Sequence, residues 1–202
     1  MKKYVLASKN KHKADEIKEI LGENFEIQTM DEAGIGNLEI IEDGSTFEEN
    51  AEKKAIEVFK ATGLPTIADD SGLCVDALSG KPGIFTARFA GENATDDENI
   101  DKLLLEMSEI NEENRTAKFV CVIAVIDKNV SENTQFFRGE CDGYITKKRA
   151  GTSGFGYDPI FYYPEKQCTL SELDSNEKNK ISHRYKALKN FVSYETFYII
   201  FI

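Results

Sequence analysis

Apolar and polar positions along this chain switch between two rhythms. Tyr4-Val5-Leu6-Ala7 is an unbroken apolar run, the pattern of a short buried strand. Beyond it, Ala14, Ile17, Ile20 and Leu21 recur at helical spacing, and Gly22 marks the end of the predicted helix. Phe25-Glu26-Ile27-Gln28 alternates as a strand does, and the polar stretch from Asp31 to Ser45 predicts a loop. Ser45 with Glu48, and Thr46 with Glu49, each match a capping box. Phe47, Ala51, Ala55 and Val58 then form one helical face, which Gly63-Leu64-Pro65 terminates. Pro65-Thr66-Ile67-Ala68 predicts a strand that ends abruptly at Asp69-Asp70-Ser71-Gly72. Thr95 with Glu98 opens a third helix carrying Ile100, Leu103, Leu104, Met107 and Ile110. Phe119 to Ile126 is continuously apolar and rich in Val and Ile, as a central strand covered on both faces would be. One or two further strands are expected between Thr134 and Ile145, and a glycine-rich loop from Arg149 to Pro159. Thr169 with Glu172 predicts a short helix, and Ile181, Leu188 and Phe191 mark a last one. Phe197 to Ile202 is very apolar but too short to span a membrane; it reads as a packed terminal strand or an atypical tail. Strands alternating with helices imply an α/β fold, with a mixed sheet because the strands between 119 and 145 are hairpin-like.

Composition narrows this picture. The 202 residues suit one domain of ordinary size or two closely packed lobes, and 41% hydrophobic residues supply a substantial core. Against 25 basic residues stand 36 acidic ones, a formal net charge of −11, which argues against a general nucleic-acid-binding surface. It does not argue against a small phosphorylated substrate, since a few local cations and a metal overcome a distant negative field. The four cysteines, Cys74, Cys121, Cys141 and Cys168, form no close pair and are expected as reduced thiols of a cytoplasmic protein. The two histidines exclude a His-rich metal centre. Met1-Lys2-Lys3 runs directly into a strand pattern too short for a signal peptide, and no apolar run is long enough for a transmembrane helix.

Four segments carry residues suited to chemistry. Ser8-Lys9-Asn10-Lys11-His12-Lys13 follows the first strand and opens the first helix, where unpaired N–H groups and the positive dipole end suit a phosphate. The same segment also reads as a plain turn, with Ser8 or Asn10 as N-cap and solvated lysines, although lysines at a helix start oppose the dipole unless an anion is present. Glu42 and Asp43 precede the second helix, which places Asn50 and Lys54 on one face beside its apolar stripe. Lys54 either points into a cleft or snorkels. Asp69-Asp70-Ser71-Gly72 sets two adjacent carboxylates at a strand end, an arrangement that favours a hard cation such as magnesium, or else an aspartate-rich turn. Gly151-Thr152-Ser153-Gly154-Phe155-Gly156-Tyr157-Asp158-Pro159 holds two aromatics suited to stacking on a base, and Ser182-His183-Arg184 adds donors or forms an ordinary solvated helix turn.

Taken together these motifs resemble the inosine triphosphate pyrophosphatase family, also called Ham1-like, over nearly the whole chain from Val5 to about Leu188. The resemblance rests on Ser8-x-Asn10-x-x-Lys13-x-x-Glu16, Glu42-x-Gly44-x-Thr46-Phe47-x-Glu49-Asn50-Ala51, and Ala68-Asp69-Asp70-Ser71-Gly72-Leu73. It rests equally on Pro82-Gly83-Ile84 to Ala87-Arg88, Gly154-Phe155-Gly156-Tyr157-Asp158-Pro159 and Ser182-His183-Arg184, all in family order. Lys9 stands where the family often has glycine, and the tail after Leu188 departs from the family. The resemblance implies an elongated mixed sheet with flanking helices, two lobes around a deep cleft, and one catalytic domain over residues 1–202. It further implies a cytoplasmic homodimer that acts on non-standard purine nucleoside triphosphates such as ITP, dITP and XTP, with no nucleic-acid or membrane partner. In that family's terms the Ser8–Lys13 loop (Ser8, Lys9, Asn10, Lys11, His12, Lys13) and Lys54 hold the triphosphate. Glu42 and Asp70 bind Mg2+, with Asp69 behind them, and Asp70 accepts the proton of the attacking water. Ser71 contacts substrate, and Phe155, Gly156, Tyr157, Asp158, Lys178, His183 and Arg184 recognise the base.

Two other classes fit parts of this pattern. A nucleotide sensor would keep the lysine loop and the aromatics but has little need of Glu42 with Asp69 and Asp70. A pyrophosphatase for pyrimidine or methylated nucleotides would keep the carboxylates but not Ser182-His183-Arg184.

Overall fold

The computed structural model describes residues 2–128 and 133–201, the side chains of the last four excepted. Strand β1 (Lys2–Leu6) leads into helix α1 (Lys11–Leu21) through Asn10. Asn10 is the N-cap: its Oδ1 accepts the Lys13 N–H at 3.1 Å, while Ser8 Oγ accepts the Asn10 N–H at 3.2 Å. Strand β2 (Phe25–Thr29) follows, then the loop, then helix α2 (Phe47–Thr62). Of the two capping candidates Thr46 is the cap, accepting the Glu49 N–H at 3.1 Å. The Glu49 carboxylate closes on the Ser45 N–H at 2.6 Å rather than on Thr46, and Gly63 ends the helix in the left-handed region.

Strand β3 (Thr66–Val75) is where the structure departs from expectation. It does not stop at Ala68 but runs on through Asp69-Asp70-Ser71-Gly72 as one ten-residue strand. Aspartate is a poor strand residue when nothing compensates it; here each aspartate is ion-paired, as described below. Helix α3 (Asp96–Glu106) opens with a complete Thr95–Glu98 capping box. Strand β4 (Thr116–Ile126) is buried without a break from Phe119 onward, and β5 (Gln135–Ile145) is a single strand whose burial alternates. Strands β6 (Phe161–Tyr163) and β7 (Cys168–Thr169) are short. The Thr169–Glu172 box caps a single tight turn, followed by helix α4 (Ser175–Lys178) and helix α5 (His183–Phe201). The apolar tail is therefore not a strand: it continues α5 through Phe201, and Ile202 lies outside the described residues. The physical reason is that α5 contains no glycine or proline to stop it. Its buried Glu195 also docks on β1, accepting from the Tyr4 hydroxyl at 3.0 Å and from the Lys2 ammonium.

Among the described residues the strands form a seven-stranded sheet in the order β2-β1-β3-β4-β5-β6-β7. β1 is parallel to β2 and β3, whereas β6 is antiparallel to β5 and β7, so the sheet is mixed and β4 is its central strand. The chain divides into two compact units. The first comprises Met1–Asp70, Cys121–Gly139 and Arg184–Ile202. Its core sets Tyr4, Leu6, Ile67 and Ile123 of the strands with Ile17 of α1 and Leu188 and Phe191 of α5. The second comprises Ser71–Val120 and Glu140–His183, with a core of Leu73, Val75, Ile100, Leu103, Phe119, Tyr157 and Phe161 among others. Among the described residues no helix is long and apolar enough to cross a membrane.

Candidate active site

The first unit gathers the charged candidates around β3. Successive strand residues project to opposite faces, so Asp69 and Asp70 point away from each other. Asp69 lies on the face covered by α1 and α5. Its Oδ1 takes the Lys13 ammonium at 2.6 Å, and its Oδ2 takes Arg184 Nε at 2.9 Å and the Cys121 thiol at 3.1 Å. Arg184 is 1% exposed and also bonds Glu16 through Nη1. Burial alone would push the Asp69 carboxyl up, but Arg184 and Lys13 hold it well below the usual carboxylate range. Burial likewise opposes the Arg184 charge, and Asp69 and Glu16 more than restore it. The Cys121 thiol is pushed up by burial and by the Asp69 charge, so it stays a neutral donor.

Asp70 lies on the face of α2. Lys54 sends its ammonium to Asp70 Oδ1 at 2.7 Å and to Glu42 Oε2 at 2.6 Å. One buried cation thus draws together two carboxylates from separate segments. Asp70 Oδ2 is buried and has no hydrogen-bond partner among the described residues. Burial raises the Asp70 carboxyl to about 6, Glu42 adding to the rise while Lys54 and Lys13 oppose it. Glu42 is half-exposed; burial raises it too, but Lys54 brings it below its ordinary value. The loop carrying Glu42 is held by α2 itself. Gly44 donates its N–H to the buried Asn50 Oδ1 at 2.8 Å, and a Cβ on Gly44 would come within 2.7 Å of that oxygen.

Ser8, Lys9, Asn10, Lys11 and His12 surround the exposed start of α1, where the first turn holds no acidic side chain. Ser8, Lys9, Asn10 and Lys11 line a cavity of about 400 Å³ with Thr29, Asp31 and Glu32. Asn10 accepts the Lys13 N–H, and the positive end of the helix dipole lies at this start.

The second unit holds the remaining candidates. Asp158 is 2% exposed, and its Oδ2 accepts the Lys178 ammonium at 2.5 Å and the Phe155 N–H at 3.0 Å. Gly154 sits at φ +79°, and a Cβ there would approach Asp158 Oδ2 to 2.1 Å, so only glycine fits this turn. The Lys178 ammonium lies 4.6 Å from the Phe155 ring centroid. Gly156 donates its N–H to Asp96 Oδ2 at 2.7 Å. Of the two aromatics read as stacking residues, Phe155 is half-buried, whereas Tyr157 is 2% exposed and belongs to the core. The Tyr157 hydroxyl donates to Thr86 O at 3.0 Å, and burial pushes its phenol up. His183 stacks on Phe119, with centroids 4.8 Å apart and rings 13° from parallel. Ser71 is half-buried at the start of this unit's part of β3.

A Ham1 family profile matches residues 4–194. The chain belongs to the Ham1 family. The match continues six residues beyond Leu188, so most of α5 is shared with the family rather than foreign to it. A protein named dITP/XTP pyrophosphatase from Halalkalibacterium halodurans is 49% identical, over 94% of this chain and 96% of its own. Among solved structures, a HAM1 protein from Coxiella burnetii is 43% identical with a TM-score of 0.87, over 97% of this chain and 99% of that one. The Ham1 protein of Staphylococcus aureus is 40% identical with a TM-score of 0.86, over 96% and 98%. Four residues of this Ham1 chain that touch the candidate residues were given no site role from the sequence: Glu16, Thr86, Asp96 and Cys121. Glu16 had a signal, since it lies three residues after Lys13 on one helical face. The other three are tied to the candidate residues by contacts that no local spacing reveals.

Proposed function

We propose that this chain hydrolyses non-standard purine nucleoside triphosphates (ITP, dITP and XTP) between the α- and β-phosphates, giving the monophosphate and pyrophosphate. The observation that carries the reading is Asp70. It is buried, titrates near 6, has a buried oxygen without a partner among the described residues, and shares one lysine with Glu42. A carboxyl in that range is ionised at neutral pH yet more basic than an ordinary aspartate, which suits a general base. Relatives named dITP/XTP pyrophosphatase support the choice of substrate.

In this mechanism Asp70 takes a proton from a water molecule as the water oxygen bonds to the α-phosphorus. The bond from that phosphorus to the bridging oxygen breaks, and pyrophosphate leaves with the electron pair. Phosphoryl transfer asks for position and charge neutralisation more than covalent chemistry. Lys13 and the positive end of the α1 dipole meet the phosphates. Lys13 then exchanges Asp69 for phosphate, and Arg184 and Cys121 keep Asp69 in place. Lys54 fixes the spacing of Glu42 and Asp70.

The donor set fits magnesium. Asp70 and Glu42 offer hard oxygens as a pair, one Asp70 oxygen being without a hydrogen-bond partner among the described residues. Magnesium characteristically takes one or two carboxylates and completes its shell with water and phosphate oxygens. When bound, it supplies charge neutralisation at the phosphates and lowers the pKa of the attacking water. Phe155 stacks on the purine, and the Phe155–Asp158 loop, Lys178 and His183 supply donors and acceptors to its edge. Arg184 is committed to Asp69 and Glu16. The same reading makes the protein one catalytic domain over residues 1–202 and a cytoplasmic homodimer, the latter measurable by light scattering.

The deciding experiment is pyrophosphate release from ITP, dITP, XTP, ATP and GTP, with magnesium and with a chelator. Fast release from the first three, slow release from the last two and none with chelator are expected. Equal rates on ATP and GTP, or undiminished activity with chelator, would overturn the reading.

A further inference from the structure

The segment Gly83–Arg88 supplies no group to the chemistry above, yet its Thr86 occupies a junction. Thr86 Oγ1 accepts the Leu73 N–H of β3 at 2.8 Å and donates to Gly83 O at 2.7 Å. Its carbonyl oxygen accepts the Tyr157 hydroxyl at 3.0 Å. The turn is secured downstream by α3: Asn99 donates to Ala87 O at 3.1 Å and accepts the Ala90 N–H at 2.7 Å. Tyr157 lies between Gly156 and Asp158, and Asp158 in turn holds the Phe155 N–H. Tyr157 therefore anchors the loop at its middle.

We propose that Thr86 and the Tyr157 hydroxyl form a strap that sets the recognition loop Phe155–Asp158 against the Ser71–Leu73 stretch of β3, and that this placement determines base selectivity. Both are positioning residues, and the inference rests on the loop's proposed role in reading the purine. Discrimination through hydrogen bonds depends on fixed geometry, whereas phosphate binding through Lys13 and the α1 start is the same for every base. A loosened strap thus lowers the preference among bases more than it lowers turnover in general. The Tyr157 ring is 2% exposed in the core, so Tyr157→Phe removes the hydroxyl and keeps the packing. Thr86→Val removes Oγ1 at nearly constant volume, and Thr86→Ser retains it.

The test is the ratio of kcat/KM for dITP to that for dGTP in the wild type, the two single variants, their double variant and Thr86→Ser. Equilibrium binding of dIMP and dGMP and a thermal melt accompany each. Each single variant is expected to lower the ratio by about 10- to 100-fold, the loss that roughly 1 Å of misplacement produces. The double variant should lose no more than the worse single one, since both break one strap, and Thr86→Ser should restore the ratio. An unchanged ratio in folded Tyr157→Phe, multiplied effects in the double variant, or an equal loss on both nucleotides would overturn the strap. If Thr86→Val does not fold, Tyr157→Phe alone decides. A wild type that releases no pyrophosphate from dITP overturns the proposed activity instead, and the dIMP-to-dGMP binding ratio still reads the strap. A wild type that binds the two equally overturns the strap.

Discussion

Asp69 and Asp70 are consecutive residues whose surroundings have opposite effects. On the α1 and α5 face, two carboxylates (Glu16, Asp69) meet two cations (Lys13, Arg184), and a thiol completes the shell of Asp69. That set is balanced, and its aspartate is held well below the usual range. On the α2 face, two carboxylates (Glu42, Asp70) share the single cation Lys54, and one Asp70 oxygen is left over. That set carries a net negative charge, and its aspartate rises to about 6. On the proposed mechanism the difference separates holding a fold from doing chemistry: the base is the carboxylate that keeps one oxygen without a partner among the described residues.

Replacing each aspartate tests this contrast. Asp70→Asn should lower pyrophosphate release by about 10²–10⁴-fold, the range of a lost general base, without unfolding the protein. The sign of its stability effect follows from the raised carboxyl. Its contribution to stability is full below the unfolded value near 3.8 and is lost as pH rises through about 6. At pH 7.5 the Asn variant should therefore melt no lower than the wild type. A folded variant keeping more than about a tenth of the rate would remove Asp70 from the role of base.

Asp69→Ala should instead destabilise by about 3–5 kcal/mol, because it leaves Arg184 buried with half its partners. Urea unfolding within about 1 kcal/mol of wild type would show that the balanced set is not structural. Next in size is Lys13→Ala. It should lower kcat/KM on dITP and dATP by similar factors of roughly 10- to 100-fold, as one charge-assisted hydrogen bond is lost. A changed base preference would remove that loop from the phosphates. The smallest effect is in pH. At low magnesium, kcat/KM should fall about tenfold per unit below pH 6 as Asp70 protonates, and excess magnesium should move that limb to lower pH. A flat profile from pH 5 to 7 would break the link between burial and catalysis.

Much of the fold was legible because its signals are local. Thr46 and Thr95 stand one residue before their helices, Gly63 just after one, and the Val- and Ile-rich run at Phe119–Ile126 fits a covered strand. What escaped was tertiary. Asp69-Asp70 reads as a turn unless the cations that stabilise it within β3 are known, and Arg184 arrives from 115 residues away. The tail reads as a strand by apolarity alone, whereas its helix is inherited from the turns before it and from Glu195 on β1. The candidate residues were nameable from their motifs. Their partners were not: nothing in the spacing of Ser182-His183-Arg184 distinguishes an arginine aimed at a ligand from one aimed at Glu16.

The distance between Asp69 and Arg184 also sets a clock for biosynthesis. The first unit is assembled from three separated stretches, and its third begins at Arg184. A ribosome adding about 5–20 residues per second needs roughly 6–23 s to cover the 115 residues between the two partners. Throughout that interval the nascent chain holds β1, α1 and β3 but not the guanidinium that answers Asp69. A chain abandoned before α5 keeps the Lys13 partner of Asp69 but lacks the buried arginine that completes the set.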